Sequence, residues 1–453
     1  MDMNLVTIAN VIDGDLHCGK EDEDKTITGA VIDSRLVLKD YLFFAVKGEK
    51  VDGHTFIDSV YEKGALVVVC EKDIKSNKPY IVVSNTLEAL KKLAQYYRST
   101  LSIPIIGISG SVGKTSTKEF IAGVLSTKYK VLKTEGNFNN EIGLPLTILK
   151  IRKEHEVAVI EMGISDFGEM TRLSKIAVPD ICVITNIGIC HLENLKDRDG
   201  VLKAKTEMFA NAKKNAKIIL NGDDDKLISY QLNDNCQVSY FGLNNKFEAY
   251  GTDIINNGIN GTDFKLHVMD NCVDVHVSIP GKHMVNNAVC AALVGTKLNL
   301  TIHEIKKGIE HIKSVGGRVN IIRKEYTIID DCYNANPISM KASLDLLACT
   351  KGRKIAVVGD MFELGKNECE LHEEIGRYIA SLSIDFVFLT GGFKNHVENG
   401  YKEVNNSSKN IFKFDNNDDL IYNIKQFVKE NDIILIKASH SMHFENIVKA
   451  LNE

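Results

Sequence analysis

Short apolar runs bounded by polar, glycine-bearing turns recur along the chain, and between them apolar residues return every three or four positions. The first pattern predicts strands and the second helices. β-rich runs fall at 30–32, 41–46, 65–69 and 80–83, and Leu87, Leu90, Leu93, Ala94 and Tyr97 then share one helical face. The continuous apolar runs at 157–160 and 181–184 predict buried parallel strands, and the Ile-rich run at 103–108 and the segment 217–220 predict two more strands. Phe264, Leu266 and Val268, then Val273, Val275, Val277 and Ile279, alternate with polar residues around Asp270-Asn271, which predicts an antiparallel hairpin. A buried helix is expected over 285–298, with Asn286 and Asn287 near its start, where they could cap it or meet a ligand. Past about 314, strands at 326–329, 354–358, 386–389 and 433–436 alternate with helical segments. The fold class is α/β, with helices on both faces of a parallel sheet. The pattern changes divide the chain into 1–85, 86–313 and 314–453. No G-x-G-x-x-G follows the C-terminal strands, so no dinucleotide is inferred.

The stretch 103–118 carries the sharpest chemistry. An Ile-rich strand runs into Gly110-Ser111-Val112-Gly113-Lys114-Thr115-Ser116, and a helix with Phe120, Ile121, Val124 and Leu125 on one face follows. Glycines let the backbone wrap an anion, and the free N–H groups of a helix start point at it. Lys114 would reach the outer phosphates and the Thr115 hydroxyl would coordinate Mg²⁺. Ile108 stands where the longer form of this loop has a further glycine, so the motif is the shorter G-x-x-G-K-T.

Other strand ends add polar groups. Glu161 closes the 157–160 run, where a carboxylate downstream of a phosphate loop is placed to hold Mg²⁺. Asn137 and Asn140 lie in an Asn- and Gly-rich turn, and His191 follows the 181–184 strand. Lys203 and Lys205 lie on a helix whose basic face would by itself be a solvated surface.

Composition narrows the class. The 453 residues are 44% hydrophobic and 25% charged, as in an ordinary globular chain of about three domains. A net charge of −5 argues against a broad nucleic-acid or membrane-surface footprint. No signal-peptide pattern or membrane-length apolar run is present, and the ten cysteines form no C-x-x-C pair. A cytoplasmic protein with reduced thiols is the expectation.

In order and spacing, these stretches resemble the Mur ligases. The resemblance runs through Asp33-Ser34-Arg35, Asp52-Gly53-His54, GSVGKT at 110–115, GNFNNEIGLP at 136–145, EMG at 161–163, ITNIG at 184–188 with HLE at 191–193, and Lys205-Thr206-Glu207. It continues through PGKH at 280–283, NNA at 286–288, GGR at 316–318, DDCYNANP at 330–337 and GDMFELG at 359–365. The last two point to the branch that adds D-alanyl-D-alanine to UDP-N-acetylmuramoyl-tripeptide in peptidoglycan precursor synthesis. The resemblance implies an N-terminal domain holding the UDP end of the substrate, a central phosphate-loop ATPase domain and a C-terminal Rossmann-like domain that closes over both. ATP and two Mg²⁺ are the implied cofactors. Lys114, Glu161, His191 and Lys205 are the implied catalytic set, with Thr115, Glu161, His191 and a carbamylated Lys205 toward metal. Gly110 through Ser116, Asn287, Arg318 and Asp331 are implied toward ATP, and Ser34, Arg35, His54, Asn137 and Asn140 toward the precursor. A monomer without nucleic-acid partner or membrane insertion is expected. The chain departs from the family near its end, where Lys437-Ala438-Ser439-His440 replaces Lys-Gly-Ser-Arg, weakening a bidentate carboxylate contact. The alternatives are another ligase of this family, a phosphate-loop ATPase without ligase activity, or a binding protein that kept the fold.

Overall fold

The computed structural model describes residues 1, 3–48, 51–232, 237–281, 283–313, 318–407 and 409–453. Lys282, Gly316 and Gly317, which belong to stretches singled out above, lie outside the described residues, as does Cys236, one of the ten cysteines.

The N-terminal sheet orders its strands Asp15–His17, Tyr80–Val82, Val67–Cys70, Tyr41–Phe44 and Gly29–Val31. The last four are parallel and the first joins its edge antiparallel. The helix Thr86–Ser99 is capped by the Asn85 side chain, which accepts from the Glu88 N–H at 2.9 Å. It buries Leu90, Leu93, Ala94 and Tyr97 against the helices Gly143–Leu149 and Glu169–Ala177. Arg98 pins its end: the buried guanidinium donates to the Ala177 carbonyl at 2.7 Å and to Asp180 at 3.1 Å.

Among the described residues the central sheet has nine strands, ordered Asn271–Val277, Thr262–Val268, Ala249–Asn256, Gln237–Gly242, Lys217–Asn221, Ile181–Ile184, Ile105–Ser109, Val157–Glu161 and Val131–Lys133. The expected hairpin is the edge of this same sheet, its inner strand Thr262–Val268 antiparallel to Ala249–Asn256, and it turns at Met269-Asp270. Ile105–Ser109 lies between Val157–Glu161 on one side and Ile181–Ile184 on the other. The chain thus passes to opposite sides of the strand that feeds the phosphate loop. In an open α/β sheet, the crevice at the C-terminal ends of such strands is where ligands bind.

The C-terminal sheet runs Asn320–Arg323, Thr327–Asp330, Ile433–Lys437, Lys354–Val358, Phe386–Thr390 and Ile411–Phe414, parallel except for its first, antiparallel pair. Arg323 tethers it to the central domain through the Ile259 carbonyl and the Asn260 side chain. Among the described residues no helix is long and apolar enough to cross a membrane.

Candidate active site

The loop after Ser109 is shaped by two glycines. Gly110 has φ 152°, and a Cβ there would lie 1.9 Å from Thr185 Oγ1. Gly113, at φ 82°, precedes the helix Lys114–Leu125 in a left-handed conformation that favours glycine. The neighbouring strand end grips the loop. Asn186 accepts from the Val112 N–H at 2.9 Å and donates to the Val112 carbonyl at 3.0 Å, while Thr185 Oγ1 donates to that carbonyl at 2.7 Å. The Gly188 N–H donates to Ser111 Oγ at 2.9 Å, and the Cys190 thiol donates to the same oxygen at 3.2 Å.

Lys114 folds back so that Nζ donates to the Gly110 carbonyl at 2.9 Å. Thr115 Oγ1 donates to Glu161 Oε2 at 2.8 Å, and Asn139 Nδ2 donates to Glu161 Oε1 at 2.8 Å. Behind the carboxylate, the buried Lys118 ammonium lies 3.6 Å from Glu161 Oε2 and donates to the Thr134 carbonyl at 2.7 Å. Among the described residues no three His, Cys, Asp or Glu side chains gather as a metal cluster. The hydroxyl and carboxylate that do meet suit Mg²⁺, which takes one or two protein oxygens and completes its shell with substrate phosphates and water.

A cavity of about 1260 Å³ opens over this loop. Ser111, Val112, Gly113, Lys114, Thr115 and Ser116 form its floor, and Asn137, Asn140, Glu161 and His191 its flanks. Asn287 lines it too, and accepts from Thr117 Oγ1 at 2.9 Å. The C-terminal domain closes the far side with Arg318 and Asp331. The Arg318 guanidinium stacks 3.9 Å from the Tyr333 ring centroid, and the His440 ring lies 5.3 Å from the same ring. Asp331 accepts from the Val319 N–H at 3.1 Å, and its other oxygen takes Ser343 Oγ and the buried Lys437 ammonium, each at 2.5 Å.

Lys205 is fully buried and does not line the cavity. Burial first, and the nearby charge of Lys114 second, push its ammonium from 10.5 down to about 7, with Cys190 opposing. A buried lysine in this range is available in part as the neutral amine, the form that can react with CO₂. His191, in a left-handed backbone conformation at φ 50°, places Nδ1 3.2 Å from Glu363 Oε2 of the C-terminal domain. The hydrogen bond to His191 holds the Glu363 carboxyl below its ordinary range against the opposing effect of burial, helped by the charges of His191 and Lys114.

Gly110 shapes the loop without lining the cavity, and Ser34, Arg35 and His54 do not line it either. Ser34 and Arg35 follow the strand Gly29–Val31 of the N-terminal sheet, and His54 lies in the short helix Gly53–Phe56. His54 Nδ1 lies 2.7 Å from Asp52, and its Nε2 accepts from the Glu71 N–H at 3.0 Å. Arg35 pairs with Asp33, and the Ser34 carbonyl accepts from Lys63 at 2.8 Å. Sequence reasoning gave no role to Asn139, Lys118, Asn186 or Glu363. All four stood in stretches already singled out, but a partner across the fold leaves no mark on spacing.

Three family signatures match: the Mur ligase middle domain over 108–295, the Mur ligase glutamate ligase domain over 317–440 and the Mur ligase catalytic domain over 26–98. A UDP-N-acetylmuramoyl-tripeptide–D-alanyl-D-alanine ligase from Bacillus subtilis is 36% identical, covering 98% of this chain and 97% of its own. The chain belongs to the Mur ligase family. Among solved structures, this Mur ligase resembles MurF from Acinetobacter baumannii, with a TM-score of 0.87, 30% identity, and coverage of 100% of this chain and 99% of that one. It also resembles the MurF ligase from Thermotoga maritima in complex with ADP, with a TM-score of 0.81, 31% identity, and coverage of 93% and 96%.

Proposed function

We propose that this Mur ligase joins D-alanyl-D-alanine to UDP-N-acetylmuramoyl-tripeptide with ATP, giving the pentapeptide precursor of peptidoglycan, ADP and phosphate. One observation carries the reading: a single cavity has the phosphate loop for its floor and residues of the C-terminal domain for its far wall, so a nucleotide and a second substrate can meet there. The names of the full-length relatives supply the substrates.

A carboxylate is a poor acyl donor because oxide would have to leave. Its oxygen attacks the γ-phosphorus of ATP, the bond to the β-γ bridging oxygen breaks, and ADP departs, leaving an acyl phosphate. The neutral amine of the dipeptide adds to the acyl carbon, and the tetrahedral intermediate expels phosphate to leave the amide. Lys114 and the N–H groups of Gly113–Thr115 offset the phosphate charge as the anionic carboxylate approaches. Thr115 and Glu161 would hold Mg²⁺, with His191 and a carbamylated Lys205 toward a second ion; bound Mg²⁺ would neutralise developing charge on the phosphates. Asn287 and Asp331 are assigned to the nucleoside, Arg318 to the phosphates across the seam, and Ser34, Arg35, His54, Asn137 and Asn140 to the UDP-linked precursor. The bonds from Lys437 and Ser343 fix the orientation of the Asp331 carboxylate at the far wall. We place the reaction in the cytoplasm and in a single chain, and take 1–85, 86–313 and 314–453 as the three domains.

The test is purified protein with Mg-ATP and UDP-N-acetylmuramoyl-tripeptide, with and without D-alanyl-D-alanine. Sustained phosphate release with the dipeptide, and a product heavier by one dipeptide less water, is expected. Phosphate release indifferent to both substrates would instead mark a plain ATPase.

A further inference from the structure

His191 and Glu363 meet across the seam between the central and C-terminal domains, with Nδ1 3.2 Å from Oε2. Both residues carry side chains yet stand in the left-handed region, at φ 50° and φ 63°, a conformation such residues hold only when their surroundings demand it. The strain therefore lies on both sides of one contact. Two more points of the seam lie beside it. A Cβ on Gly365 would lie 4.0 Å from the Glu193 N–H nitrogen, and a Cβ on Gly188 would lie 3.3 Å from Ile338 Cδ1. Gly188 in turn is tied to Ser111 of the phosphate loop. The Glu363 loop, which follows the strand Lys354–Val358, thus bears on the segment that grips that loop. Glu363 also lines the cavity, while its side chain remains 71% exposed.

We propose that Glu363 is a positioning residue: through His191 it sets the register in which the C-terminal domain docks over the phosphate loop, and so where Arg318 stands relative to the bound phosphates. It acts on acyl transfer, which needs the two domains in register, more than on nucleotide binding, in which the central loop takes the larger share. The activity arm of its test rests on the ligase reading above; the other two arms do not.

Glu363→Ala and Glu363→Gln are compared with the parent protein by kcat, by the Kd of Mg-ADP from calorimetry, and by amide hydrogen exchange at 188–195 and 359–365. Glu363→Ala should lower kcat by about tenfold or more, as small misplacements of a reacting group do. It should weaken Mg-ADP binding by a much smaller factor than it lowers kcat, since no loop contact to phosphate is removed, and speed exchange in both seam segments. Glu363→Gln keeps an acceptor of the same shape and should retain most of kcat. The proposal is overturned by a kcat in Glu363→Ala close to that of the parent, by nucleotide affinity falling in step with kcat, by unchanged exchange at the seam, or by a glutamine variant as impaired as the alanine one. If the parent protein ligates nothing, the ligase reading fails, and exchange and ADP binding still decide the role of Glu363.

Discussion

Lys114 spends its hydrogen bond on the Gly110 carbonyl, which holds the ammonium over the loop before any phosphate arrives. Preorganised charge of this kind acts where negative charge builds up, so Lys114→Ala should cost on the order of 10²-fold or more in kcat; a steady-state assay that found wild-type turnover would remove the lysine from the mechanism. Lys205 makes a different prediction. Between about 7, where the folded protein releases its proton, and its ordinary 10.5, the unfolded chain binds more protons than the folded one. Stability gained from this residue must therefore rise with pH across that window, and the strain of a buried ammonium is fully present below it. In CO₂-free buffer, chemical denaturation of the parent and of Lys205→Met should diverge with pH in the parent's favour; a difference that stays flat from pH 7 to pH 10 would contradict the depressed value. The carbamate has its own check: Lys205→Ala should be inactive and partly rescued by a short carboxylate in the buffer, and a fully active variant would refute it. At this scale the sequence was legible where chemistry is encoded in adjacent letters, as in Gly113-Lys114-Thr115. It was silent on Asn139 and Lys118, because their partner Glu161 is brought to them by the pairing of strands rather than by spacing.

The helix Lys114–Leu125 is seated by close packing. Its Phe120, Ile121, Val124 and Leu125 are all fully buried, which the 3.6-residue periodicity anticipated. What periodicity does not reveal is how near the next helix comes. A Cβ on Gly308, in the helix Ile302–Glu310, would lie 2.5 Å from Val124 Cα. Gly308→Ala should therefore destabilise the protein by about 1–2 kcal/mol despite alanine's better helix propensity; urea denaturation showing equal or greater stability would mean the helices can part freely. The buried parallel strands Val157–Glu161, Ile181–Ile184 and Lys354–Val358 were readable because burial on both faces demands unbroken apolar runs. Ala249–Asn256 was not, since a register irregularity between Thr252 and Ile255 interrupts its alternation. Val131–Lys133 and Ile411–Phe414 were missed because edge strands keep a solvated side and lose the apolar signature.

Across the whole molecule, the order of strands around Ile105–Ser109 puts the loop at a crevice, and the C-terminal domain turns that crevice into a cavity. The alternation of strands and helices foretold sheets that are mainly parallel. It could not foretell that Asp331 and Arg318 would face Lys114 and Thr115 across the seam, because domain docking depends on few, distant contacts such as Arg323 with Ile259 and His191 with Glu363. Nor did it show that His54 would be held between Asp52 and the Glu71 backbone. On the proposed function, the assembled site does what neither domain would do alone: convert a carboxylate to a mixed anhydride with phosphate and shield it until an amine arrives. The direct measurement is to label the terminal carboxylate of UDP-N-acetylmuramoyl-tripeptide with ¹⁸O, run the ligation with Mg-ATP and D-alanyl-D-alanine, and weigh the released phosphate. Acyl-phosphate chemistry transfers one carboxylate oxygen to each phosphate, so singly labelled phosphate is predicted; unlabelled phosphate accompanying amide formation would contradict the account.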